Sequence, residues 1–324
     1  MSAINFNLVY NAYFEYFSNQ IEDAAGSVLY NHPDGWLYSD KGTGGRISKV
    51  NDFCSILTSN GAGEMVFKQQ LHEFPRWKQY LLGRTISAKI RLSLPSAANV
   101  SLILSDGFHD VEQTISQQGD HCIKLKMKVG SKAEVVSVSI ASSDSGKLIY
   151  IESVTANLGN RPKQNLACIV SGSIGERRQY IAALVAPPRE LSLCAEPLEL
   201  TENQSRLDSV INKKFGAGPN GRSLLPDMRG YFSRAVDRGA GVDKDATDRV
   251  MLGNSQITGD YPGTWQADAF YQHSHSLGFV TATNVQGGGG GMGLITGQTT
   301  ETSVAGGKET RSQNIAELYT IKWA

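Results

Sequence analysis

Two histidines flank a single serine at His273–Ser274–His275, just upstream of five consecutive glycines, in a chain of 324 residues with six histidines in all. In an extended segment residues two apart point to the same side, so both imidazoles would face one way and Ser274 the other. Neutral imidazole suits borderline metals such as iron, zinc or nickel. One copy supplies two donors, too few to complete a coordination shell. The remaining histidines, His32, His72, His109 and His121, have no matching cysteine or carboxylate spacing and read as packing or surface residues.

Other chemistries find less support. There is no GxSxG nucleophile elbow, and ASSDSG reads as a turn. The run GGGGGMG satisfies GxGxxG by repetition, without the strand before and helix after that a dinucleotide site needs. DKDATD, residues 243–248, alternates acids as a calcium loop does, but lacks the sixth-position glycine and the distal glutamate, and reads as a solvated loop. A glycosidase needs two carboxylates at a set separation. Asp34, Glu64 and Glu112 are available, and nothing in their spacing singles them out. Aromatic rings are the usual sugar platforms, because a pyranose has an apolar face and a polar edge. Trp36, Tyr38 and Trp77 are candidates in the first half of the chain, with core burial the competing role for each.

The elements that would position these residues are mostly strands. Over residues 1–162, LVYNAYFEYF, RTISAKIRLSL, NVSLILS, CIKLKMKV, EVVSVSIA and KLIYIESVTA run apolar or alternate at strand length between turn clusters, the pattern of a β-sandwich or jelly roll. In CIKLKMKV, Lys124, Lys126 and Lys128 share one face, read as a solvated face that discourages edge pairing. Polar NRPKQN, residues 160–165, marks an expected domain boundary. One helix follows: Thr201 and Gln204 make a capping box, Leu207, Val210 and Ile211 recur at helical spacing, and Gly216 closes the segment. The glycine-rich stretch beyond it reads as an ordered loop, because the terminal ETRSQNIAELYTIKWA looks like a strand returning to a core.

Composition narrows the partners. Hydrophobic residues make up 40%, and 31 basic residues balance 31 acidic ones, so no strong field favours nucleic acid. No signal peptide or membrane-length apolar run is expected, and the four dispersed cysteines suit reduced thiols in a cytosol.

The segment SIGERRQYIAALVAPPRELSLCAEPLELTENQSRLDSVINKKFGAG, with SLLPDMRGYFSRA after it, resembles the phage tail-collar domain of tail fibres. The likeness rests on Pro187 and Pro188, then Leu191, Leu193 and Cys194, the helix through Phe215 and Gly216, and Leu225, Pro226, Asp227, Arg229, Gly230 and Phe232. The ending ETRSQNIAELYTIKW is similar to that of such fibres, with Ser312 in place of proline, and Glu196 stands where the family often has glycine. More loosely, NAYFEYF followed by NHPDGW resembles the opening of jelly-roll carbohydrate-binding modules.

The collar resemblance implies a homotrimer that attaches a phage or phage-tail-like particle to host-cell polysaccharide or lipopolysaccharide, joined to tail or baseplate proteins and assembled in the host cytoplasm. Around a threefold axis His273 and His275 would supply six imidazoles. An octahedral set leans toward Fe²⁺ over Zn²⁺, whose structural sites are tetrahedral. Tyr261, Trp265 and Tyr271 beside this motif would line the trimer seam or a receptor groove, and residues 276–310 the receptor surface. The expected architecture is mainly β: a sandwich over 1–162, a collar-like α+β domain over 170–270, and a glycine-rich intertwined trimeric tip over 271–324. The expected role is adhesion without catalysis. A polysaccharide depolymerase or esterase, or a purely structural collar, are the alternatives.

Overall fold

The computed structural model describes residues 5–22, 28–61, 63–269 and 314–324. His273, His275, Tyr271 and residues 276–310 lie outside the described residues. The chain divides into two compact units, Met1–Trp265 with Glu317–Ala324, and Gln266–Ala316.

The first unit opens with a short hairpin, β1 (Gln20–Glu22) and β2 (Val28–Asn31). Ten strands then build a sandwich: β3 (Leu37–Ser39), β4 (Arg46–Val50), β5 (Phe53–Leu57), β6 (Met65–Gln70), β7 (Thr85–Leu94), β8 (Val100–Ser105), β9 (Asp110–Ile115), β10 (Gly119–Lys128), β11 (Ser137–Ser142) and β12 (Leu148–Leu158). They form two five-stranded antiparallel sheets, in the orders β10-β7-β12-β5-β4 and β3-β6-β11-β8-β9. The expectation of a mainly β chain with an N-terminal sandwich is met.

Alternation explains the faces. On β7, Ile86, Ala88, Ile90, Leu92 and Leu94 point inward, and on β10 Ile123, Leu125 and Met127 do so while Lys124, Lys126 and Lys128 face water. Strand β11 is buried at every position, as suits the middle of a sheet covered on both faces. Two sequence expectations change here. LVYNAYFEYF is not a strand: residues 10–13 form a turn, and Asn11 and Phe14 adopt left-handed φ of 51° and 56°. Its apolar pattern comes from a turn buried from several sides. The one-turn helix α1 (Trp77–Leu81) escaped notice because five residues are too short to show a helical period.

After β12 the chain stays within the same unit. Strands β13 (Arg177–Tyr180) and β14 (Glu190–Ser192) flank β18 (Leu318–Lys322), so the terminal stretch does return to a core, and Ala324 is buried against the sandwich interior. The capping box forms at a 3₁₀ turn, Glu202–Gln204, which leads into α2 (Ser205–Ile211). The helix ends earlier than Gly216, at Asn212, whose left-handed φ of 47° an asparagine tolerates. Strands β15 (Val250–Met251), β16 (Asn254–Thr258) and β17 (Thr264–Trp265) make a further small sheet of three strands.

Helix α2 docks beside β6 through a polar lock. The Glu73 carboxylate accepts the amides of Ser205 at 2.8 Å and Arg206 at 2.9 Å, and so serves as the helix N-cap. In return the fully buried Arg206 guanidinium donates to the carbonyls of Glu73 (3.1 Å), Leu8 (3.0 Å) and Gln70 (2.6 Å). Burial pushes the Glu73 carboxyl up, and Arg206 opposes that shift.

DKDATD proves more than a solvated loop, because Asp243 is buried and paired with Arg249, and with Arg234 at 3.0 Å. Its acid is thereby committed to guanidinium groups. Among the described residues no cluster of three metal-ligating side chains occurs.

Two histidines predict a pH response. Burial lowers His72 and holds His32 down to about 4 from an ordinary 6.5. Both fold as neutral imidazoles, so between pH 6.5 and about 4 the unfolded chain takes up protons that the folded chain refuses. This contribution is whole above pH 6.5 and is lost on acidification, by up to about 3 kcal/mol for His32. Urea midpoints measured from pH 7.5 down to 4.5 should fall, and His32→Gln should flatten the fall.

Candidate functional site

The sheet β10-β7-β12-β5-β4 presents an outer face rich in hydrogen-bonding side chains. Register places Lys124 beside Lys89, and Lys89 beside Thr155; one pair along, Cys122 lies beside Arg91, and Arg91 beside Ser153. An irregularity between Ile151 and Ser153 inserts Glu152 as an extra residue on β12. Bulges of this kind re-aim side chains. Here the result is a Glu152 carboxylate 3.0 Å from Arg91 Nε.

This face carries a groove of about 150 Å³ with Lys89, Arg91, Glu152, Ser153 and Thr155 in it. Lys163, Gln164 and Asn165 line it from the NRPKQN segment. Asn157 pins that segment, accepting from Lys163 N at 2.7 Å and donating to Arg161 O at 3.2 Å. The expected linker is therefore a wall of the groove, held within the unit.

Tyr13 also lines the groove and is half exposed. Two features hold it there. The amide of Val154 donates to Ala12 O at 2.9 Å, tying the turn to β12. The next residue, Phe14, is buried between Trp36 and Phe67, at 5.4 and 5.9 Å between ring centroids. A bulky residue at positive φ is costly and persists where packing fixes it. The groove thus joins one exposed aromatic ring to donors and acceptors of both signs, the chemistry a sugar ring requires. Glu152 is the one carboxylate lining it, so it holds no acid pair of the glycosidase kind.

The sequence-predicted aromatics land elsewhere. Trp36 is wholly buried and stacked on Phe67 at 4.5 Å, so it fills the core and presents no face to a sugar. Tyr38 is half-buried, donates to Asp40 at 3.1 Å, and meets the His32 ring edge-on. Burial and the Asp40 charge raise its phenol. Trp77 is half-buried on α1 against His72, with Lys78 Nζ over its ring at 5.7 Å.

Tyr261 and Trp265 are exposed at the small β16-β15-β17 sheet, where Trp265 meets Tyr231 edge-on at 6.3 Å. Asp34, Glu64 and Glu112 are not brought together in either cavity of this unit: Asp34 is buried on Ser18, whereas Glu64 and Glu112 are exposed. The sequence reading missed Tyr13 and the groove. The signal was present in YNAYF, where an asparagine interrupts an aromatic run and invites a turn that expels one ring.

No family model matches the chain. Over 103 residues, 31% of this chain, it is 34% identical to the protein RhiB of Rhizobium leguminosarum bv. viciae, and the match spans 47% of RhiB, about half its length. Among solved structures, the carbohydrate-binding module TmCBM61 in complex with β-1,4-galactotriose covers 46% of this chain and 97% of its own, at 11% identity and TM-score 0.33. The enzymatically active domain of tailspike protein 4 of bacteriophage CBA120 covers 47% of this chain and 21% of its own, at 16% identity and TM-score 0.35. The two solved structures are similar to this chain in fold at a likeness too slight to place a ligand on it.

Proposed function

We propose that this chain is a glycan-binding fibre protein that attaches a phage or phage-tail-like particle to host-cell polysaccharide. The observation that carries the reading is the groove, with Tyr13 at its edge and the Arg91–Glu152 pair in its floor. The collar-like run through Leu225, Pro226, Asp227 and Arg229 supports the fibre role. Binding proceeds without turnover: a sugar stacks its apolar face on Tyr13, and its hydroxyls exchange hydrogen bonds with Lys89, Arg91, Glu152 and Gln164.

Retention on immobilised host polysaccharide tests this. Tyr13→Ala and Arg91→Ala should each weaken retention about tenfold, the equivalent of about 1.4 kcal/mol, at unchanged Tm. Equal retention by both variants would remove the groove from the binding surface. Released reducing ends would instead establish a depolymerase.

The trimeric part of the proposal rests on His273 and His275, six imidazoles in three chains being a closed set for Fe²⁺ in preference to Zn²⁺. Elemental analysis of chain purified without added metal should find one metal ion per three chains, lost with His273→Ala. Three identical grooves on one trimer would add through avidity.

A further inference from the structure

A second cavity, of about 460 Å³, lies between the turn before α1 and the sheet β13-β18-β14. Its size suits a sugar-sized or similar small ligand. Four cationic side chains line it, Arg76, Arg178, Arg189 and Lys322, with Glu190 as the one acid.

That acid is already committed. Glu190 accepts from Tyr180 at 2.8 Å and from Arg178 at 3.2 Å, and also from Thr320. Arg178 further pairs with Glu176 at 3.4 Å, and Arg189 donates to Ile169 O at 3.0 Å. Lys322 is different. It is 2% exposed as a residue, and among the described residues no hydrogen bond or close ion pair fixes its ammonium, although the Glu176 and Glu190 charges act on it from nearby. A Cβ added at Gly172 would lie 3.0 Å from Glu176 Oε2 and 3.4 Å from Lys322 Nζ, so the glycine leaves room for both side chains. Arg76 at the exposed rim also lacks such a partner, and holds a left-handed φ of 62° at the N-terminus of α1. Backbone strain of this kind concentrates at ligand clamps. Burial lowers the Lys322 pKa, the neighbouring Arg178 and Arg189 charges lower it further, and the Glu176 and Glu190 carboxylates oppose the shift.

An ammonium that no hydrogen bond holds, on a mostly buried lysine among three guanidinium groups and two carboxylates, leaves a surplus of positive charge that an anion would complete. We propose that this cavity binds an anionic group, a carboxylate or phosphate carried by a small ligand, between Lys322, Arg189 and Arg76. Pro75, Pro187 and Pro188 line the same cavity and give it stiff walls. The site is separate from the Tyr13 groove and does not depend on it.

Calorimetric titration of the full chain with glucuronate, inorganic phosphate and glucose tests this. Saturable binding of glucuronate, of phosphate or of both, with none of glucose, is the expected result. Glucuronate alone would identify a sugar acid as the source, and phosphate binding as tightly or more tightly would identify a phosphate group. Lys322→Met should weaken binding at least about tenfold, since a charge-assisted contact is lost. Arg76→Ala, at the rim, should weaken it with unchanged Tm, which guards against a folding defect in the first variant. Tyr13→Ala should leave it unaltered. Absence of saturable binding by both anions, equal binding of glucose, or full affinity in Lys322→Met and Arg76→Ala would overturn the proposal. Loss of polysaccharide retention in Tyr13→Ala alone leaves this site intact, so the two readings fail separately.

Discussion

Arg206→Ala is expected to lower unfolding stability by about 3–5 kcal/mol, because it removes a fully buried guanidinium that serves three backbone carbonyls and whose charge favours the ionised form of the buried Glu73 carboxyl. Domains are stable by about 5–15 kcal/mol, so a loss of this size should move the urea midpoint well below that of wild type. The loss has two parts. Glu73 keeps its carboxylate in a fully buried place without its cation, and the carbonyls of Leu8, Gln70 and Glu73 lose their donors. A buried set of charged side chains is often replaceable by apolar residues of similar size. This one is not, since each charge also serves backbone groups on the opposite segment, including the first amides of α2. The double variant Glu73→Leu with Arg206→Met should therefore stay well below wild type, while losing less than the two single losses added together. A fully additive double variant would show that the two residues act independently.

Trp36→Ala should cost about 3–5 kcal/mol, the range for truncating a large buried aromatic. Trp36→Phe, which keeps a ring against Phe67, should cost less. The informative comparison is with Tyr13→Ala. Trp36 has no exposed surface and lies outside the groove, yet its ring holds Phe14 at positive φ, and Phe14 is the neighbour that turns Tyr13 outward. Trp36→Ala should lose both stability and polysaccharide retention, whereas Tyr13→Ala should lose retention alone. Retention that survives in folded Trp36→Ala would show that Tyr13 is held by the β12 contact and not by the core.

The sandwich was legible because its strands alternate. CIKLKMKV announces its inward and outward faces residue by residue, and the capping box at Thr201 and Gln204 marks a helix start that forms as expected. What was not legible depends on tertiary contact. Trp36 sits in a short polar context, NHPDGWLYSD, that gives no sign of total burial. The groove draws on four separate segments, around Tyr13, Lys89, Glu152 and Gln164, and the irregularity that inserts Glu152 has no sequence signature. NRPKQN has the composition of a linker, but Asn157, outside the motif, gives its backbone a partner. The buried Lys322 reads as the ordinary polar end of a terminal strand until β13 and β14 close around it.

Strand β18 pairs between β13 and β14 although more than half the unit precedes them and the Gln266–Ala316 unit intervenes before β18. That intervening segment begins just after β17 and ends just before β18, both strands of the first unit. The entropy of closing a chain segment grows slowly with length, about 0.6 kcal/mol for each doubling. Sequence between β17 and β18 can thus be lengthened, shortened or exchanged at little cost to the scaffold. The length of chain between β17 and β18 is thereby largely uncoupled from the stability of the first unit.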